Sequence, residues 1–169
     1  MGRVLRLRVS APRCNRAADS PRWFFGDSHS RRSTITKGMS ISYEWRGRFS
    51  NDEVNRLHAE GFGHRVLDDD WAGQLERHSL GWVTARDGEA LVGFVNVAWD
   101  GAIHAFILDT LTAGTHARRG IGTELVRVAT GHARDAGCEW LHVDFEDHLR
   151  EFYFGACGFT PTNAGLIRL

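Results

Sequence analysis

HARRGIGTELV, residues His116 to Val126, sets two arginines ahead of Gly120, one aliphatic residue and Gly122, and then opens into a helical pattern. A helix N-terminus presents unpaired N–H groups and about half a positive charge, so it favours anions. Glycines let that backbone approach an oxygen with no Cβ in the way. Arg118 and Arg119 can add charge-assisted bonds from the rim. The stretch therefore asks for a phosphate or pyrophosphate. Two standard loops do not fit it. No lysine follows Gly120 or Gly122 as a Walker loop requires, and Leu125 stands where a dinucleotide fingerprint has its third glycine. That fingerprint also follows the first strand of its unit, whereas several predicted strands precede Gly120.

Working outward, "ISYEWRG" (41–47) alternates as a strand, and "SNDEVNRLHAEGFG" reads as a capped helix. Ser50 and Glu53 have capping-box spacing, Val54, Leu57 and His58 share a face, and Gly61 is placed to stop the helix. "DDDWAGQLERHS" puts acidic residues where a second helix would start. "LGWVTA" (80–85) and "ALVGFVNVAW" (90–99) are strands joined at Asp87-Gly88, and "AIHAFILDTLT" (102–112) follows another turn at Asp100-Gly101. From Gly120 to Ala136, apolar positions 121, 125, 128 and 129 trace a helical stripe ended by Gly137. "CEWLHVDF" (138–145) returns to strand. "DHLREFYFGACG" carries Leu149, Phe152, Tyr153 and Ala156 on one helical face, with Asp147 as N-cap and Gly158 as stop. "FTPTNAGLIRL" closes the chain as strand. This order describes an α/β protein with a mixed, largely antiparallel sheet flanked by helices.

A chain of 169 residues fits one domain, or one domain and a tail. Hydrophobic residues make up 42%, enough for a core, and no apolar run is long enough to span a bilayer. The net charge of +0 hides an asymmetry: residues 1–38 carry +7 and the remainder −7. An acidic main domain is a poor surface for nucleic acid and suits a cationic substrate better. The basic first 38 residues lack the apolar run of a secretory signal. An organellar transit peptide or a nucleic-acid-binding arm would share this composition. We read them as a disordered leader, with the domain spanning 39–169. Cys14, Cys138 and Cys157 have no metal-ligand spacing and read as reduced thiols, pointing to the cytoplasm.

HARRGIGTELV resembles the acetyl-CoA pyrophosphate loop of the GNAT superfamily of N-acetyltransferases, whose pattern is Q/R-x-x-G-x-G/A. Ala117 stands where that family prefers Gln or Arg. "ILDTLTAG" precedes the loop at the distance of the family's fourth strand, and "EFYFGACGF" resembles its late Y-x-x-x-G-F signature, with Tyr153 taken as the tyrosine. The likeness covers roughly residues 41 to 169 and implies direct transfer of an acetyl group from acetyl-CoA to an amine.

In that resemblance the diphosphate lies on the amides of Arg118, Arg119, Gly120, Ile121, Gly122 and Thr123. Backbone of Thr110, Leu111 and Thr112 meets the pantetheine arm and acyl carbonyl. Tyr153 gives a proton to the departing thiolate, although the same residue reads as a core aromatic beside Leu149 and Phe152. Asp109 and His104 are the candidate bases, on opposite faces by simple alternation or reconciled by a bulge. Each also reads as a satisfied polar residue at a strand edge. In the family an asparagine contacts the cofactor where, counting back from Tyr153, this chain has Glu146, so that contact is not carried over. His142, Asp144 and Glu146 could gather a divalent metal, but a strand running into a capped helix explains them, and no metal is expected. Trp45, Trp71, Trp82, Trp99 and Trp140 read mostly as packing, with Trp45 or Trp71 able to line an acceptor pocket. The expected partner is a small-molecule or peptide amine, with no nucleic acid or membrane and with room for a homodimer. A non-catalytic acyl-CoA sensor of the same fold is the alternative.

Overall fold

The computed structural model describes residues 40–169. The leader expected over 1–38 and Cys14 lie outside the described residues. Five strands form one sheet in sequence order, β1 (Ser42–Trp45), β2 (Ser79–Asp87), β3 (Ala90–Trp99), β4 (His104–Thr112) and β5 (Trp140–His142). The first four pair antiparallel, and β5 lies parallel to β4. Helices α1 (Asn51–Phe62) and α2 (Trp71–His78) cover one face, and α3 (Ile121–Asp135) the other. Among the described residues no helix is long and apolar enough to cross a membrane.

Local chemistry explains the boundaries. Ser50 and Glu53 close a reciprocal capping box on α1. Arg86 of β2 also reaches Glu53 at 3.0 Å, tying the helix start to the sheet. The helix runs past Gly61 and stops at Gly63, whose φ of 69° suits only a residue without a Cβ penalty. Asp70 caps α2 by accepting from the Gly73 amide at 3.1 Å. Val83, Val95, Val97, Ile107 and Leu125 fill the α3 side of the core; Val54, Leu75, Phe94 and Leu111 fill the α1/α2 side. Trp71 is buried there, whereas Trp99 and Trp140 are exposed, so packing does not account for every tryptophan.

Four expectations near the C-terminus are corrected. The strand over 138–145 shrinks to Trp140–His142, because its ladder with β4 ends where Phe106 meets His142. Instead of one helix, a 3-10 turn (Asp147–Leu149) leads into a π-helical turn (Glu151–Ala156). Glu146, not Asp147, holds the capping position, and neither side chain bonds the turn. Residues 159–169 form no strand: Pro161 lacks a donor, and Leu166, Ile167 and Leu169 stay exposed.

Candidate active site

The site is built on an irregularity in β4. Phe94 pairs with Leu111 but Asn96 pairs with Leu108, so β4 carries one residue more than β3 over that interval. Asp109 takes a left-handed φ of 52° within it. Such a bulge reverses the alternation of side chains. Before it, Ala105 and Ile107 pack on the α3 side; after it, Leu111 packs against α1 and α2, while Thr110 and Thr112 turn to a cavity. Since β5 pairs only with His104–Phe106, the edge of β4 from Ile107 onward has no strand on that side among the described residues. Its backbone groups are available to a ligand.

Beyond Thr112 a 3-10 turn (Gly114–His116) leads to the glycines. His116 Nε2 lies 3.0 Å from Asp87 Oδ2 and fastens this turn to the β2–β3 hairpin. Arg118 and Gly120 both take positive φ, 60° and 78°. Glu124 is the amide that donates back to the Gly120 carbonyl, at 3.1 Å. Amides before it have no acceptor four residues earlier in a helix and point outward. At Gly122 an added Cβ would come within 3.1 Å of the Phe152 ring, closing the space.

The resulting cavity holds about 390 Å³. Thr110, Thr112, Arg118, Gly120, Ile121, Gly122 and Thr123 line it, with Tyr153 on its far wall. Leu111 is buried in the core and Arg119 does not line the cavity. Thr110 Oγ1 is buried beside it, with no hydrogen-bond partner among the described residues. Outward amides, a guanidinium, an orphaned hydroxyl and clearance at Gly122 together fit a diphosphate-bearing CoA thioester.

Tyr153 is buried and packs on Phe145, with ring centroids 4.7 Å apart, so it is both a core aromatic and a cavity wall. Burial raises its phenol above the ordinary tyrosine value, a rise that the nearby Thr110 hydroxyl opposes. The phenol therefore stays protonated at neutral pH. The distance in sequence from Tyr153 to Gly158 is one residue longer than in Y-x-x-x-G-F; that spacing points to Phe154. The π-helical turn absorbs the extra residue, with Cys157 donating to the Phe152 carbonyl at 2.9 Å. Phe154 faces Arg150 and Phe145 instead, and Tyr153 meets the cavity. Burial pushes the Cys157 thiol up to about 11, which removes it as a thiolate nucleophile.

The two base candidates part company. Both belong to the α1/α2 side of the sheet once the bulge is counted, but His104 stands five residues earlier, about 16 Å along the strand. It pairs with His142 at 2.8 Å, away from the cavity, and His142 in turn stacks on Phe106. Among the described residues no group of three His, Cys, Asp or Glu side chains gathers as a metal site. Asp109 adjoins Thr110 and meets His58 of α1, whose Nε2 is 3.6 Å from Oδ1. Burial raises the Asp109 carboxyl above its usual range, against the opposing effects of His58 and Asn96. Sequence reasoning took His58 only as part of an apolar face and passed over His64. They stand six positions apart across the end of α1, and no local pattern announces their contact.

A family model described as the acetyltransferase (GNAT) family matches residues 43–159. No curated protein matches the chain. Among solved structures, a GNAT-family acetyltransferase of Streptococcus pneumoniae TIGR4 is similar, with 21% identity, a TM-score of 0.63, and coverage of 77% of this chain and 98% of the other. AAC(6')-Iy, solved with the bisubstrate analogue CoA-S-monomethyl-acetylneamine, gives 16% identity, a TM-score of 0.61, and coverage of 77% and 97%. Glucosamine-6-phosphate N-acetyltransferase of Arabidopsis thaliana gives 12% identity, a TM-score of 0.59, and coverage of 76% and 98%. At these identities the likeness concerns the fold.

Proposed function

This chain belongs to the acetyltransferase (GNAT) family, and from that premise we propose that residues 39–169 transfer an acetyl group from acetyl-CoA to a primary amine with both substrates bound. Acetyl-CoA supplies an acyl carbon already activated as a thioester. Amides from Arg118 to Thr123 and the Arg118 guanidinium hold its diphosphate, with Arg119 adding charge from the rim. The open backbone edge at Thr110, Leu111 and Thr112 orients the pantetheine arm and donates toward the acyl oxygen as negative charge grows there. Tyr153 gives its phenolic proton to the departing sulfur. A small cationic amine suits the acidic main domain, and the similar folds include proteins named with, or bound to, amino-sugar compounds.

One observation carries this reading: the glycine turn, the unpartnered Thr110 hydroxyl and the Tyr153 phenol converge on one cavity. The test is thiol release from acetyl-CoA over a panel of primary amines, alongside calorimetry with CoA. Amine-dependent release that falls about 100-fold in Tyr153→Phe, with CoA affinity retained, is the expected result. CoA binding with no release above the blank for any amine would support the sensor instead.

A further inference from the structure

An acetyl transfer to an amine also needs a group that takes the proton of the incoming ammonium, and the α1 face of the bulge holds a chain of groups suited to it. A carbonyl oxygen can only accept, so His64 Nδ1 carries the proton and donates to the Arg65 carbonyl, 2.6 Å away. Neutral His64 then has a bare Nε2, which accepts from His58 Nδ1 at 2.8 Å. Neutral His58 is left with a bare Nε2 of its own. That lone pair faces Asp109 Oδ1 at 3.6 Å, beyond hydrogen-bond length. Among the described residues, two acceptors thus oppose each other with no donor between them.

The surroundings hold this arrangement in place. Ser79 Oγ donates to Asn96 Oδ1 at 2.6 Å, which turns the Asn96 amide nitrogen toward the Asp109 carboxylate. Around the His58 ring, β4 contributes Asp109, the segment after α1 contributes His64, α2 contributes the indole of Trp71, and α1 itself contributes Phe62. Asp109 and His64 are the titratable members of that set. Opposed acceptors walled by aromatic rings call for a cationic N–H donor. They also flank the open edge of β4 on one face while Thr110 flanks it on the other.

We propose that the acceptor's ammonium docks between Asp109 Oδ1 and His58 Nε2, that His58 is the base that deprotonates it, and that His64 positions the ring by fixing its tautomer. The inference rests on the amine-acetylation reading. His58 takes one proton, freeing the nitrogen lone pair. The C–N bond forms as the C–S bond breaks, and the sulfur takes the Tyr153 proton. The second nitrogen proton returns to the Tyr153 phenolate, and His58 sheds its proton to solvent, for a net release of one.

Nitrogen-15 NMR of histidine-labelled full-length protein reads the tautomers with no substrate present. Both His58 and His64 are expected in the Nδ1–H form at pH 8, with His58 losing that preference in His64→Phe. Finding His58 in the Nε2–H form would overturn the proposal. The second readout is the pH profile of kcat/KM for an amine that the wild type acetylates. His58→Gln should lose about 100-fold and the acid limb of the profile, and His64→Phe about tenfold with the limb displaced. Calorimetry with CoA and the unfolding midpoint report whether each variant is folded, and Asp109→Asn should raise KM for the amine if His58→Gln is not. A His58→Gln profile that keeps its acid limb at near wild-type rate refutes the base. If no amine is acetylated by the wild type, the functional reading itself fails and the base goes with it, even with the tautomers as expected.

Discussion

From His104 to Phe106, β4 has a strand on either side, and Ala105 and Ile107 pack beneath α3. Among the described residues, from Asp109 to Thr112 it has a strand on one side only, a left-handed residue, a half-buried carboxyl and an orphaned hydroxyl. One strand is thus an ordinary structural ladder at its start and a strained, under-bonded surface at its end. The difference lies in a single extra residue and in where β5 stops. Regular pairing satisfies backbone groups and leaves nothing for a ligand, whereas the bulge and the open edge leave donors, acceptors and side chains unspent.

If that contrast is right, damage at the two ends should separate stability from activity. The largest effect is expected from Ile107→Ala, which empties a packed position in the regular half. Chemical denaturation should register a loss of about 2–5 kcal/mol, with activity per folded molecule unchanged. At the irregular end, Gly122→Val should weaken CoA binding about tenfold or more in calorimetry with little change in unfolding midpoint, since its side chain meets Phe152 across the cavity. Equal loss of stability and binding in both variants would break the comparison.

Asp109→Asn should act in the opposite sense on stability. Burial raises the folded-state pKa of this carboxyl above its unfolded value. Stability linked to the protonated form is complete below the ordinary aspartate range and is lost as pH rises through the raised value. The amide carries no such penalty, so its thermal midpoint should exceed the wild type's at neutral pH by roughly a few degrees. That gain should shrink on acidification, and amine-dependent turnover should fall throughout. The smallest effect belongs to His104→Ala, where turnover should stay within about twofold, because the residue sits at the regular end.

Much of this division could be read from the sequence, and the part that could not has a common cause. Local chemistry announced the Ser50–Glu53 capping box, the Asp87-Gly88 turn, the stripe through Ile121 and Leu125 and the phosphate-seeking glycines. Each depends on residues a few positions apart. The bulge at Asp109 depends on how Phe94 and Asn96 pair across the sheet, and strict alternation gave it no sign. Tyr153 was picked out by a motif whose spacing fits Phe154; the π-turn that makes Tyr153 the cavity residue is a packing outcome among Phe145, Phe152 and Phe159. Leu166, Ile167 and Leu169 look like strand residues, yet stay unpaired. His58 and His64 meet only because α1 runs one residue beyond Gly61, to the cap at Gly63.

The last turn of α1 has one more attachment. Glu60 Oε1 accepts from the Gly114 amide at 2.8 Å, joining the helix that carries His58 to the entrance of the glycine turn. A ligand that steadies the turn therefore steadies the helix as well. Thermodynamic reciprocity then sets a rule for the order of events: whatever factor the nucleotide gains in affinity from a resident amine, the amine gains from a resident nucleotide. Weakening this one carboxylate-to-amide link, as in Glu60→Ala, should loosen both halves of that cooperation by the same ratio.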